Sequence, residues 1–142
     1  MLSIILFSLD LPYRCIMKEI NIKHISNLHS DALRGLEFYM QELAIMQKRL
    51  EEIAGDNTGN EVSVNIGHFQ NQFLIQNNNI DELKHKIKQN LKIIESQVMS
   101  SAGFVDQDSM SLNADLYDHY LTEEKIVNDI RHEFNRSASK WM

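Results

Sequence analysis

Apolar residues recur every three or four positions along most of the chain, which is the spacing of one face of an α-helix. The first series lies between residues 22 and 54 and has one polar member, His29. Its apolar members are Ile22, Ile25, Ala32, Leu36, Tyr39, Leu43, Met46, Leu50 and Ile53. Such a series, here called the seam of the helix, predicts a long helix over residues 22–54 that packs against neighbouring helices.

Two further series predict helices over residues 59–100 and 110–140, after linkers rich in Gly, Ser, Asn and Asp. The second seam consists of Val62, Ile66, Phe69, Phe73, Gln76, Ile80, Leu83, Ile87, Leu91, Ile94 and Val98. The third consists of Leu112, Leu116, Tyr120, Glu123, Val127, Ile130, Phe134, Ala138 and Trp141. Short linkers make consecutive helices antiparallel. We therefore expect an all-α, elongated, up-down-up bundle of three helices, forming a single domain over residues 17–142.

Residues 1–16 precede this pattern and are treated as a separate N-terminal extension. The run from Leu2 to Leu9 is apolar but far shorter than the roughly 20 residues that a membrane span requires. No basic segment precedes it and no small-residue cleavage site follows it, which argues against a secretory signal without removing that alternative. Met17 reads like a natural start. We expect residues 1–16 to be either a mis-assigned upstream extension or a tail held by its apolar side chains.

Charge and cysteine usage narrow the classes of partner. The chain carries 14 Lys and Arg against 20 Asp and Glu, a formal net charge of -6, and its basic residues do not cluster. This balance opposes binding to nucleic-acid phosphates and to anionic membranes. Cys15 is the single cysteine, so no internal disulfide can form and a cytoplasmic location is expected.

Two acidic residues precede a histidine by three positions, a spacing that carboxylate-bridged di-iron bundles use to aim two ligands at one metal. The pairs are Glu82 with His85 and Asp129 with His132. Both pairs lie off the seams, so we expect them to face solvent and to bind no metal. The sequence contains no glycine-rich phosphate loop, no GxSxG and no Cys-x-x-Cys. We therefore expect neither a cofactor nor a catalytic site, and hence no enzyme.

Three seam positions are polar: His29, Gln76 and Glu123. Folding the helices about their linkers places His29 level with about residue 86, and Glu123 level with about residue 88, of the second helix. We therefore expect His29 and Glu123 to share one layer, with Tyr120 one turn away and His119 beside it. The favoured interpretation is a structural layer that fixes the helix register. The alternative is a metal- or small-molecule-binding bundle built around these residues.

Five apolar residues lie off the seams and are candidates for an interface: Leu74, Ile75, Phe38, Met40 and Ile45. A three-helix bundle with surplus apolar surface commonly buries it in another subunit. The leading hypothesis is a non-catalytic bundle that acts by self-association, as a homodimer completing a larger bundle, or by binding another protein.

Overall fold

The chain forms three long α-helices. Their bounds are α1 Leu2–Asp56, α2 Asn60–Ser100 and α3 Gln107–Trp141. A computed structural model describes the backbone of residues 2–57, 59–100 and 105–141, and the side chains of these ranges from residue 24 onward. Within these ranges there is no strand, and each helix packs against both others. The predicted all-α bundle of three helices is confirmed.

Side-chain contacts establish the up-down-up order. Along α1, His29 contacts Asn90 of α2, and Glu37 accepts a hydrogen bond from Lys84 at 2.6 Å. Because the α2 residue number falls as the α1 number rises, these helices are antiparallel. The hydroxyl of Tyr39 in α1 accepts a hydrogen bond from Asn128 of α3 at 3.3 Å, and Glu42 pairs with Arg131 at 3.7 Å. Because the residue numbers of α1 and α3 rise together, these two helices run in the same direction.

The first helix begins at Leu2, whereas its seam predicts a start near residue 22. The segment from Leu2 to Leu9 is almost continuously apolar, so its periodicity cannot identify a buried face. Pro12 also argues against a helix interior, because proline lacks an amide donor. The side chains of residues 1–16 lie outside the described residues, so the prediction that they hold a tail in place stays a prediction. The side chain of Ile22, the first predicted seam residue, also lies outside the described residues.

The predicted seams form most of the core. Every described seam position of α1 is buried, including His29. On α2 and α3, Asn90 is buried where Leu91 was predicted, and Asn113 is buried where Leu112 was predicted. The seam residues nearest the helix ends are only half-buried: Val62, Ile66, Val98 and Trp141. Leu91 is only half-buried and Leu112 is 44% exposed. At both points the leucine was predicted because it is more hydrophobic than the neighbouring asparagine. The predictions were wrong because the alternation of steps of three and four places the asparagine on the buried face of the helix.

The start of α3 is tied to the end of α2. Asp106 immediately precedes α3, and its Oδ1 accepts a hydrogen bond from the backbone N–H of Ser109 at 2.8 Å, as an N-cap residue does. Its Oδ2 accepts from Gln97 Nε2 at 2.7 Å. The hydrogen bonds from Ser109 lower the pKa of Asp106. This contact shows where the start of α3 lies along α2.

None of the helices, as far as they are described, has a stretch long and apolar enough to cross a membrane.

Candidate functional site

A buried polar layer crosses the bundle near the N-terminal end of α3. His29 is fully buried and Asn90 is 1% exposed, and His29 Nε2 lies 3.0 Å from Asn90 Nδ2. An amide nitrogen only donates, so Nε2 accepts this bond and the neutral ring carries its proton on Nδ1. Burial lowers the pKa of His29 and so favours this neutral form.

Asn113 of α3 belongs to the same layer. Gln76 contacts Glu123 and Gln97 contacts Asp106, so the antiparallel pairing of α2 with α3 places Asn113 within about one turn of Asn90. Asn113 is 5% exposed and lies on the seam of its helix, facing the bundle axis. We call His29, Asn90 and Asn113 the polar layer.

The polar layer divides the apolar core into two parts. A small cluster on one side contains Ile25, Ile94 and Val105. The large cluster on the other side begins with Ala32 of α1, with Ile87 of α2 and with Leu116 of α3. On α1 and α2, therefore, a polar seam residue stands between apolar seam residues that belong to different clusters, whereas on α3 Asn113 lies between the buried Ser109 and Leu116.

Glu123 lies in a second polar position, well away from His29. With the amide nitrogen of Gln76 oriented toward it, Gln76 Nε2 donates to the two carboxylate oxygens at 2.5 and 3.3 Å. Asn90 follows Gln76 by 14 residues on α2, which is about 21 Å along the helix. The prediction that His29 and Glu123 share a layer was wrong, because it took the midpoint of the linker as the turning point, whereas Asp106, directly before α3, lies beside Gln97 of α2.

The other two residues predicted for that layer have separate surroundings. Tyr120 is buried, donates from its hydroxyl to Glu124 Oε2 at 3.0 Å, and lies against Gly35 of α1. Burial is the main cause of the raised pKa of Tyr120. His119 is exposed and lines a shallow groove of about 250 Å³ between α2 and α3 together with Glu82 and Glu123, whereas His29 and Tyr120 do not line this groove. The four residues therefore do not form one site.

The two acid–histidine pairs lie on the surface. Glu82, His85, Asp129 and His132 are all exposed, on the sides of α2 and α3 that the seams place toward solvent. Glu82 pairs with Lys86 of its own helix at 3.0 Å. Among the described side chains, no group of three or more His, Cys, Asp or Glu residues could hold a metal ion.

The five interface candidates do not share one face. Phe38, Ile45, Leu74 and Ile75 are 49, 56, 59 and 41% exposed. Leu74 lines a groove with Gln47 of α1, whereas its neighbour Ile75 points about 100° away around the helix. Met40 is half-buried against the large core cluster, and Lys84 Nζ lies 3.7 Å from its sulfur. Met40 is therefore part of the packing of α1 on α2.

Phe38 and Ile45 lie on one side of α1, and α3 has an exposed apolar side chain, Leu121, on the side that borders the same groove. Glu42 lies between them on the same side of α1 and pairs with Arg131 of α3 at 3.7 Å, so this side faces the α1/α3 groove. On α3, Leu121 is 45% exposed and precedes Asn128, which contacts α1, by seven residues. We call Phe38, Ile45 and Leu121 the α1/α3 face.

Sequence reasoning missed Asn90, Asn113 and Leu121. The first two could have been found by strict alternation, because steps of three and four from Phe73 reach Asn90, and steps of four and three back from Phe134 reach Asn113. No signal in the sequence places Leu121 beside the same groove as Phe38, since that depends on how α3 packs against α1.

Comparison of the chain with protein-family models, with curated proteins and with solved structures finds no match in any of the three.

Proposed function

We propose that the protein is a non-catalytic helical bundle that acts by self-association through the α1/α3 face. The observation that supports this proposal is that three large apolar side chains lie along the sides of α1 and α3 that border one groove: Phe38, Ile45 and Leu121 are 49, 56 and 45% exposed. Removing apolar surface from water is favourable by about 25 cal/mol per Å². An exposed cluster of large apolar side chains with a polar surround is typical of a protein–protein contact.

A second copy of the chain suits this face. In a two-fold contact the same residues meet from both copies, so apolar side chains are buried against apolar side chains. The charges beside the face are already paired within the chain, since Arg131 contacts Glu42 at 3.7 Å. Association therefore does not require an unpaired charge to be buried, which would be costly.

Sedimentation velocity of matched variants tests the proposal. We expect the Phe38→Ser/Ile45→Ser double variant to raise the dimer dissociation constant about tenfold or more, because central apolar residues carry most of the energy of an interface. The matched control is Leu74→Ser, which removes a side chain of similar exposure, 59%, on the α1/α2 groove. Circular dichroism checks that all variants remain helical.

Two results would contradict this assignment. One is an equal loss of association in the Leu74→Ser control, which would place the contact elsewhere. The other is a wild-type protein that stays monomeric at micromolar concentration, in which case a different protein would be the partner of the face. The cytoplasmic location expected from the lone Cys15 belongs to the same proposal and is tested by cell fractionation.

The sequence-based alternative of a binding site that joins His29 and Glu123 is not favoured. The two residues contact different partners, Asn90 and Gln76, which lie about 21 Å apart along α2.

A further inference from the structure

The contact between Gln76 of α2 and Glu123 of α3 is unusually short for an amide and a carboxylate. Both residues are 6% exposed, and one terminal atom of the Gln76 amide lies 2.5 Å from Glu123 Oε1 and 3.3 Å from Oε2. Hydrogen bonds of the O–H···O type extend down to about 2.5 Å, whereas N–H···O bonds begin near about 2.7 Å. The short distance therefore suits two oxygen atoms with a proton between them.

Asn79, one turn further along α2, also fits an oxygen at this position of the Gln76 amide. With the oxygen there, Asn79 Nδ2 lies 3.5 Å from Gln76 Oε1 and donates to it. With the nitrogen there, Asn79 Nδ2 would face another donor, because an amide nitrogen only donates. The two orientations of the Gln76 amide thus satisfy different neighbours. The oxygen serves Asn79 and a protonated Glu123, and the nitrogen serves a charged Glu123.

Glu123 can exchange its proton with solvent in spite of its burial. Together with Asn79 it lines the shallow groove between α2 and α3. Burial raises the pKa of Glu123 to about 6. Both forms of the carboxyl group are therefore populated within about one pH unit of that value.

The charged groups around this contact are paired with one another. Glu82 and Lys86 of α2 line the same groove as His119 of α3, and Glu82 pairs with Lys86 at 3.0 Å. On α1, the register of the Tyr39–Asn128 contact places Arg34 at about the level of Glu123. Arg34 is exposed and pairs with Asp31 of its own helix. The Gln76 amide is therefore the group that responds to the charge of Glu123.

We propose that the Gln76–Glu123 contact is a proton-dependent switch, in which the hydrogen bond between α2 and α3 reverses its direction. When Glu123 is protonated, its O–H donates to Gln76 Oε1, which also accepts from Asn79 Nδ2. When Glu123 loses the proton to water in the groove, the Gln76 amide turns by about 180° and Nε2 donates to the carboxylate.

The switch keeps α2 and α3 connected in both forms and changes the groove beside them. In the protonated form, Asn79 Nδ2 is bonded to Gln76 Oε1. In the charged form this acceptor has turned away, so the Asn79 amide becomes a free donor in the groove that His119 and Glu82 also line. The hydrogen-bonding character of the groove therefore depends on pH.

Side-chain NMR of the full-length chain tests the proposal. We expect the Gln76 amide resonances to titrate with the same midpoint as Glu123 ¹³Cδ, near pH 6. A scalar coupling across the hydrogen bond should join Gln76 ¹⁵Nε2 to Glu123 ¹³Cδ at about pH 8 and be absent at pH 4.5, because only the carboxylate accepts from Nε2. The amide of Gln70, which is exposed on the same helix, is the internal control and should not follow this titration.

Matched variants separate the switch from other effects of pH. Glu123→Gln should abolish the titration of the Gln76 amide, whereas Glu95→Gln, at an exposed position of α2, should leave it unchanged. A coupling to Nε2 that persists at pH 4.5, or one that is absent at both pH values, would overturn the proposal. Both results come from the wild type, so they do not depend on the folding of a variant.

Discussion

Glu123 is a carboxylic acid in an apolar core, and its titration affects stability. The side chain is 6% exposed, and burial raises its pKa from 4.5 to about 6, although the bond from Gln76 Nε2 favours the charged form. The folded state thus retains a proton that the unfolded chain has already lost. The stabilisation due to this proton is complete below pH 4.5 and is lost as the pH rises through about 6.

Glu123→Gln should therefore stabilise the bundle at neutral pH. We expect its free energy of unfolding at pH 7 to exceed that of the wild type by about 2 kcal/mol, and the difference to vanish near pH 4.5. Urea denaturation across this range measures it, with the exposed Glu95→Gln as control. A Glu123→Gln variant less stable than the wild type at pH 7 would mean that the carboxylate is stabilised.

The buried His29 titrates in both proteins and cancels in that comparison. Its pKa is lowered below 6.5, so the folded state binds its proton less readily than the unfolded chain. The corresponding stabilisation is present above pH 6.5 and is lost as the pH falls through the folded-state value.

At the scale of the helices, close approach depends on one small residue. A Cβ at Gly35 of α1 would lie 2.7 Å from Cζ of the buried Tyr120, which α3 presents at this point. Gly67 lies inside α2, and a Cβ added there meets no atom within 4 Å. An alanine at Gly67 therefore tests only the preference of alanine for a helix, whereas an alanine at Gly35 also tests the packing of α1 against Tyr120.

Alanine substitutions at these glycines should have opposite effects. Gly67→Ala should stabilise the protein by about 1 kcal/mol, because alanine favours the helix. Gly35→Ala should destabilise it by about 1–3 kcal/mol, because overpacking against Tyr120 exceeds that gain. Thermal or urea denaturation compares them directly. Equal stabilisation by both substitutions would show that α1 and α3 are further apart than described.

The three helices and most of their buried faces were predictable from the sequence because apolar residues recur at regular steps. The position of each helix along its neighbours was not predictable in this way. All described seam residues of α1 were identified, since steps of three and four alternate there without exception. On α2 the path from Ile87 to Ile94 can pass through either Asn90 or Leu91 with steps of three and four. Only strict alternation of the two step lengths predicts that Asn90 is the buried residue. No periodicity encodes the displacement of α3 along α2, which places Asp106 beside Gln97.

At the scale of the whole molecule, the interior and the surface have different roles. The interior holds a large and a small apolar cluster on either side of the polar layer. The surface contributes the α1/α3 face, on which the proposed self-association depends. Phe38 and Ile45 were identified from the sequence. Only the packing of the helices shows that Leu121 belongs to this face and that Met40 belongs to the core.

The molar mass of the wild-type protein in solution tests the proposed association most directly. The chain has a mass of 16.5 kDa, so a dimer has twice that value, about 33 kDa. We expect light scattering coupled to size-exclusion chromatography at micromolar concentration to give the dimer mass, and the Phe38→Ser/Ile45→Ser variant to give the monomer mass. A wild-type mass of 16.5 kDa at every concentration would contradict the account.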